Sequence, residues 1–381
     1  MNKKKYVFIS NMASPYQVKF CYSLQKYFDA EFWFYVRRES NRPKWWEIPL
    51  GEKCKIMKLS GEFPKIGYYS FGLFFDLMRF NPDIIVLGGF MKWHWLILRL
   101  AKMFNKKIAV MSEPLRYVKS ESDQSSSLMT KENSGVKLEK IRKLFERADL
   151  YFGMGKVAQK QFIEEIGFPE EKVACGMYPH DIEEYYNHPL REKKKGDTYR
   201  ILFANRLVDR YQPLFLLEVF EKIVSRYPNT ELYMNNDGPL KSDCIDYIES
   251  RQIKNVYFLD KIDSWNNMHI AYKTADILIL PATYSNGNGT IIEARASGMG
   301  VVISNRINNV GKHSINGENC FICDLIVEEF VQGITNYIES PGLLISHGEL
   351  SRKLVEDSKN EYVAKRYFEI FERHSLLNDQ K

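Results

Sequence analysis

Residues 276–304 read DILILPATYSNGNGTIIEARASGMGVVIS. Two apolar runs, 276–282 and 300–305, flank a glycine- and asparagine-rich turn and a segment of helical character. Neither run alternates apolar with polar, which is the pattern of strands covered on both faces of a parallel sheet. The first run should end near Ala282, and a helix should open near Gly289. Free backbone N–H groups at a helix start, together with the positive end of its dipole, favour a phosphate or diphosphate. Gly287 and Gly289 let the backbone approach such a ligand with no Cβ in the way. Glu293, a turn and a half into the helix, can accept two hydrogen bonds from a vicinal diol such as a ribose. These features imply a nucleotide or sugar phosphate. A tight strand–helix turn with a dipole-stabilising glutamate accounts for the same residues without a ligand.

The rhythm extends in both directions. Apolar runs at 199–205, 230–236, 255–260 and 319–324 accompany the two above. An earlier series lies at 5–11, 31–36, 55–59, 83–89, 107–113 and 149–155. Helix-period segments such as YYSFGLFFDLMRF and WHWLILRLAKMF lie between strands of the first series. Strands alternating with helices predict an α/β chain with parallel sheets covered on both faces. Between the two series, YYNHPLREKKKGD (185–197) is polar and charge-rich and reads as a linker. Two doubly wound domains are therefore expected, 1–184 and 199–359, with 185–198 joining them. The cleft between them, at the carboxyl ends of the strands, is the default ligand site.

A length of 381 residues suits two domains of ordinary size. No run approaches the length of a membrane-spanning helix, and MNKKKYVFISN does not read as a signal peptide. The six cysteines are scattered; only NCFIC (319–323) has close spacing, and a structural zinc needs four ligands. Reduced thiols and a cytoplasmic location are the expectation. Residues 1–180 hold 30 Lys and Arg against 19 Asp and Glu, a balance of +11, while the remainder holds 24 against 29, or −5. A basic half beside a mildly acidic one points to contact with anions such as a membrane surface or nucleic acid, or to a merely solubilising surface. The aromatic and basic stretches 32–46 and 91–100 favour the inner face of a membrane as the place of contact. No nucleic-acid module is visible, and the first strand runs into SNMASPYQ, which lacks the glycine pattern of a dinucleotide-binding dehydrogenase. The Ser-rich insertion 119–135 reads as a lid on the acceptor side or a disordered loop.

Several stretches of the second half, in order over about 130 residues, carry a resemblance: NRLVDRY (205–211), NNDGPL (235–240), VYFLDKIDSWNNMHIAYKTADILILP (256–281), EARASG (293–298) and INGENCFI (315–322). Together they resemble the donor domain of GT-B glycosyltransferases, specifically retaining glycosyltransferase family 4. In that family an acidic residue stands eight positions before the glutamate matched by Glu293; here that position is Ser285. Arg206 matches the arginine of the family's diphosphate-holding pair, while the lysine position falls on Tyr211 with Arg210 beside it.

The resemblance implies a donor site formed by Asn205, Gly238, Lys261, Ser285, Asn286, Gly287, Asn288, Gly289, Thr290 and Glu293. It implies a nucleotide-diphosphate sugar as co-substrate, with Arg206 and Arg210 opposing the charge of the leaving diphosphate. No Asp-x-Asp clamp appears at a strand end, so neither metal nor cofactor is expected. Retaining members are thought to attack on the face the leaving group departs from, which requires no protein nucleophile.

In the first half, SPYQVKF resembles a variant found in bacterial polysaccharide-building members, and EKVACGMYPHD (171–181) resembles the close of the family's first domain. Ser14, Pro15, Tyr16, Gln17, Gly88, Gly89 and His94 are assigned to the acceptor and sugar side. Glu113, ending a strand, is expected to bind a sugar hydroxyl, to deprotonate the acceptor or to cap structure. His94, between Trp93 and Trp95, reads as a buried or interfacial histidine as well as a catalytic one. EYVAKRYFEIFERH (361–374) is an amphipathic helix, and its counterpart in GT-B enzymes crosses back onto the first domain. The expected activity is sugar transfer to a saccharide acceptor, a lipid-linked glycan of capsule, O-antigen or exopolysaccharide synthesis. A GT-B-fold nucleotide-sugar epimerase is the alternative.

Overall fold

The structure is a computed structural model that describes residues 3–39, 42, 44–63, 67–115, 131–259, 264–287, 289–308 and 313–377. These residues form two compact units, one from residues within 3–181 and 358–377, the other within 182–357.

The first unit is built on strands β1 (Lys5–Met12), β2 (Asp29–Val36), β3 (Cys54–Ile56), β4 (Gly61–Phe63), β5 (Gly67–Tyr69), β6 (Ile84–Gly88), β7 (Lys107–Ser112), β8 (Leu150–Met154) and β9 (Val173–Gly176). Seven of them form a parallel sheet in the order β3-β2-β1-β6-β7-β8-β9. Phe8 of β1 pairs with Phe32 of β2 on one side and Val86 of β6 on the other. Consecutive residues Tyr6 to Ile9 are all buried, because helices cover both faces of the sheet.

On one face, Tyr6, Phe8, Phe28 and Phe32 pack with Val363, Ala364, Tyr367, Ile370 and Phe371 of the helix Asn360–Arg373. The spacing of those five positions is that of a single helical stripe. Phe20 of the helix Pro15–Leu24 meets Tyr367 edge-on at 5.2 Å. On the other face, Val7, Ile9, Trp33 and Tyr35 pack with Ile97 and Leu98 of the helix Lys92–Met103.

Four local features add to or depart from the sequence reading. Strands β4 and β5 form a small antiparallel pair, and β5 takes Tyr68 and Tyr69 from the start of a segment read as helical. The helix Lys156–Gln161 runs into a wider π turn at Phe162–Ile166. The aromatic run 32–35 is core, with Trp33 fully buried, rather than part of a membrane-facing surface. Of the Ser-rich insertion 119–135, residues 119–130 lie outside the described residues, while 131–135 open the helix Lys131–Phe145.

The second unit has strands β10 (Tyr199–Phe203), β11 (Thr230–Met234), β12 (Val256–Phe258), β13 (Ile277–Leu280), β14 (Gly300–Ser304) and β15 (Phe321–Cys323). They form a parallel sheet in the order β12-β11-β10-β13-β14-β15. Strand order reverses between β10 and β13 here, and between β1 and β6 in the first unit. Such reversals open a crevice at the carboxyl ends of the two strands.

In the stretch 185–197, read from the sequence as a linker, His188 and Arg191 are buried in the second unit. The Arg191 guanidinium donates to the carbonyls of Ala275, Tyr272, Pro189 and Ser297, which is what lets a charged head lie inside. Among the described residues no helix is long and apolar enough to cross a membrane.

Candidate active site

In the second unit, the loops after β10 and β13 lie side by side because those strands are neighbours. Asn205, nearly buried, accepts the Thr290 hydroxyl at 3.1 Å, joining the first loop to the start of the helix Gly289–Ala296. The carbonyl of Arg210 accepts both the N–H and the hydroxyl of Thr283, at 2.8 and 3.2 Å. The loops are thus stitched together at two points.

Arg206 is partly exposed and its Nε donates to Asp237 at 2.9 Å. A surface pair of this kind contributes about 1 kcal/mol or less, so Arg206 can turn to an incoming anion at small cost. Arg210 donates to the Tyr211 hydroxyl at 2.7 Å and lies over the rings of Tyr211 and Tyr284, at 4.5 and 5.4 Å.

Gly238 has a backbone reason of its own. Its φ is +144°, and a Cβ there would lie 2.4 Å from the Leu207 carbonyl oxygen. The backbones lock accordingly, with Leu207 N–H donating to Asp237 at 2.8 Å and Leu240 N–H to Leu207 at 3.0 Å. Gly238 therefore fixes the position of the Arg206 loop.

Ser285 is buried, and its carbonyl accepts the Asn308 N–H at 2.9 Å. Asn286 accepts from the Asn308 side chain at 2.7 Å. Gly287 is half-buried in the same turn. Glu293 is 1 % exposed and accepts the Tyr272 hydroxyl at 2.5 Å, so one carboxylate oxygen is committed inside the unit. Lys261 and Asn288 lie outside the described residues. Asn308 and Tyr272 were missed by the sequence reading. Only the asparagine-rich turn NRINN after β14 and the tyrosine of AYKTAD hinted at them.

In the first unit, the assigned residues gather where strand order reverses. Ser14 caps the helix Pro15–Leu24, its hydroxyl accepting the Gln17 N–H at 3.4 Å, and Pro15 occupies the first turn. Tyr16 meets Trp46 and His180 edge-on at 6.5 and 5.9 Å. The Gln17 side-chain amide donates to the Ser10 hydroxyl at 3.5 Å. Across from it, a Cβ on Gly88 would come within 2.9 Å of that hydroxyl and 3.1 Å of the Ile9 carbonyl.

Gly89, at φ +90°, carries the chain out of β6, and its carbonyl lies 2.9 Å from His94 Nδ1. A carbonyl only accepts, so Nδ1 bears the proton. His94 is wholly buried, stacked on Tyr35 at 6.0 Å, and burial pulls its pKa down to about 4. It is a neutral brace for the Gly88–Gly89 turn. Glu113, one residue beyond β7, is exposed, and its carbonyl accepts the Ser112 hydroxyl at 3.1 Å.

Residues 187–361 match the family model described as glycosyl transferases group 1. An uncharacterized glycosyltransferase of Haemophilus influenzae is 25% identical over 171 residues, which are 44% of this chain and 48% of that protein. The chain spans about half, or less, of the length of the curated relatives it matches. Among solved structures, a glycosyltransferase from Rickettsia africae superposes with a TM-score of 0.72 at 14% identity, covering 100% of both chains. The Anabaena HepE protein in complex with UDP and glucose gives 0.67 at 13% identity, covering 97% of this chain and 99% of that one. The chain thus carries the GT-B fold, and its residues 187–361 are similar to the glycosyl transferases group 1 family.

Proposed function

We propose that the protein transfers a sugar from a nucleotide-diphosphate sugar to a saccharide acceptor. The observation that carries this reading is the stitched pair of loops at the β10–β13 reversal. They bring Arg206, Arg210 and the start of the helix Gly289–Ala296 to one end of the sheet. The two guanidinium groups and the helix N–H groups oppose the charge that grows on the departing diphosphate. Fixed cations and dipoles of this kind supply the largest part of many rate enhancements.

Glu293, held by Tyr272, receives the ribose, and Ser285, Asn286 and Asn288 serve the sugar hydroxyls in place of an acidic side chain. In the first unit, Ser14 to Gln17, Gly88 and Gly89 line the acceptor and sugar side, with His94 bracing them and Glu113 binding or deprotonating the acceptor. The reaction retains anomeric configuration and needs no metal. The acceptor is a lipid-linked glycan, met at the inner face of a membrane.

The group 1 match and the glycosyltransferase names of the relatives favour transfer over epimerisation. HepE has been solved with UDP and glucose, which supports testing UDP-sugars first. The deciding assay follows nucleotide-diphosphate release from a panel of sugar nucleotides, with and without acceptor. Acceptor-dependent release, unchanged by EDTA, is expected. A converted nucleotide sugar with no release would overturn transfer, and activity lost to EDTA and restored by manganese would overturn metal independence.

A further inference from the structure

The five most exposed large apolar side chains among the described residues are Met103 (75 %), Phe75 (71 %), Phe104 (66 %), Met78 (61 %) and Phe71 (58 %). All five lie on two neighbouring pieces of the first unit. Phe71, Phe75 and Met78 stand at positions i, i+4 and i+7 on the helix Gly72–Phe80 and its N-cap, so they share one stripe, which faces water at Phe75 and Met78 and at Phe71 also meets Tyr69 and Trp93 edge-on at 5.5 and 5.8 Å. The opposite side of that helix is anchored: Leu73 is fully buried, and Phe74 packs on Trp93 at 5.7 Å. Met103 and Phe104 end the helix Lys92–Met103. Lys106, just beyond them, reaches Asn81 at the end of the first helix, 2.6 Å away. A soluble monomer seldom leaves its largest apolar exposures clustered in this way.

Charge around the patch has one prevailing sign. Arg79 is exposed beside Met78. Lys58 is exposed, and its carbonyl accepts the hydroxyl of Ser70 at 2.7 Å, next to Phe71. Lys5 lies over the ring of Phe80 at 5.3 Å, and its ammonium donates to the Phe80 carbonyl. Of the described carboxylates tied to this region, Asp76 is held by Lys55 at 2.9 Å, Asp83 by the backbone N–H of Lys5 at 2.8 Å and Asp149 by Lys102 at 2.6 Å.

We infer that this patch is the surface by which the protein docks on an anionic lipid bilayer, with the aromatic and methionine side chains entering the interface and the cations meeting headgroups. The inference rests on the proposed membrane contact and moves it away from the aromatic run of β2, which the core consumes. Apolar side chains rimmed by cations complement an apolar interior beneath an anionic layer. A second copy of the chain fits less well, because a two-fold contact through this face would set the same cations against one another.

The test is sedimentation of the full chain with phosphatidylcholine vesicles, with and without phosphatidylglycerol, at low and high salt. Binding to the phosphatidylglycerol vesicles that weakens with salt is expected, reduced about tenfold or more in F75S/M78S. Circular dichroism and nucleotide binding of that variant should match the parent, since both residues face water. Equal binding by parent and variant, or no binding to phosphatidylglycerol vesicles at low salt, would overturn the inference. So would a dimer at sedimentation equilibrium that F75S/M78S dissolves. Vesicle binding without any sugar transfer would leave the docking surface standing and remove the transfer reading instead.

Discussion

Arg206 is set up for exchange, since its partner Asp237 is half exposed, and the proposed function gives it the departing diphosphate. Arg206→Ala should lower turnover by about a hundredfold, the scale of losing one fixed electrostatic donor, with little change in thermal stability. Steady-state kinetics beside a melting curve would check both halves of that expectation. Glu293 is a different case, because its carboxylate is buried against Tyr272. Glu293→Gln keeps an oxygen for the tyrosine hydroxyl while removing the charge. It should weaken nucleotide binding about tenfold, the worth of one charge-assisted hydrogen bond, and leave the fold intact. Calorimetry that finds unchanged affinity would remove Glu293 from the ribose site.

At the scale of elements, the turn at Gly238 decides where the Arg206 loop lies. Gly238→Ala would push a methyl into the backbone of Leu207 at a φ that side chains avoid, a strain of about 1–3 kcal/mol. A fall of several degrees in melting temperature together with weaker donor binding is expected; a variant that melts and binds like the parent would show that the loop can shift freely. This glycine also marks what a sequence can tell. NNDGPL made it a candidate for the donor site, but its contact with Leu207, about thirty residues away in the chain, was not legible. The two parallel sheets were legible because unbroken apolar runs such as 277–280 have no other economical explanation. Residues 185–197 read as a linker because they are polar and charge-rich, and the burial of Arg191 escaped because four carbonyls that no local pattern announces satisfy it inside. Tyr272 and Asn308 escaped for the same reason: their partners, Glu293 on a helix and Asn286 in a turn, lie 21 and 22 residues away in the chain.

Across the whole molecule, each unit holds a histidine neutral. His94 in the first and His188 in the second both have pKa values pulled from 6.5 to about 4, chiefly by burial. His188 also faces the cations Arg191, Lys273 and Arg352 and its hydrogen-bond partner His269. Unfolded chains take up these protons near pH 6.5 and folded ones near 4, so stability is full above 6.5 and declines as pH falls through that window. Melting temperatures at neutral and mildly acid pH should therefore diverge less in His94→Asn and in His188→Asn than in the parent. An equal decline in parent and variants would assign the acid sensitivity to other groups. A last consequence concerns synthesis. The helix Asn360–Arg373 places Tyr367 and Phe371 against Phe20, Tyr6 and Phe152 of the first unit, yet a ribosome makes it after every residue of the second. At about 5–20 residues per second, the aromatic floor beneath β1 and β2 waits many seconds for its cover while 182–357 can fold. The nascent first unit should thus be bound by chaperones and cut by protease until residue 373 emerges, which arrested ribosome–nascent chains of increasing length would reveal.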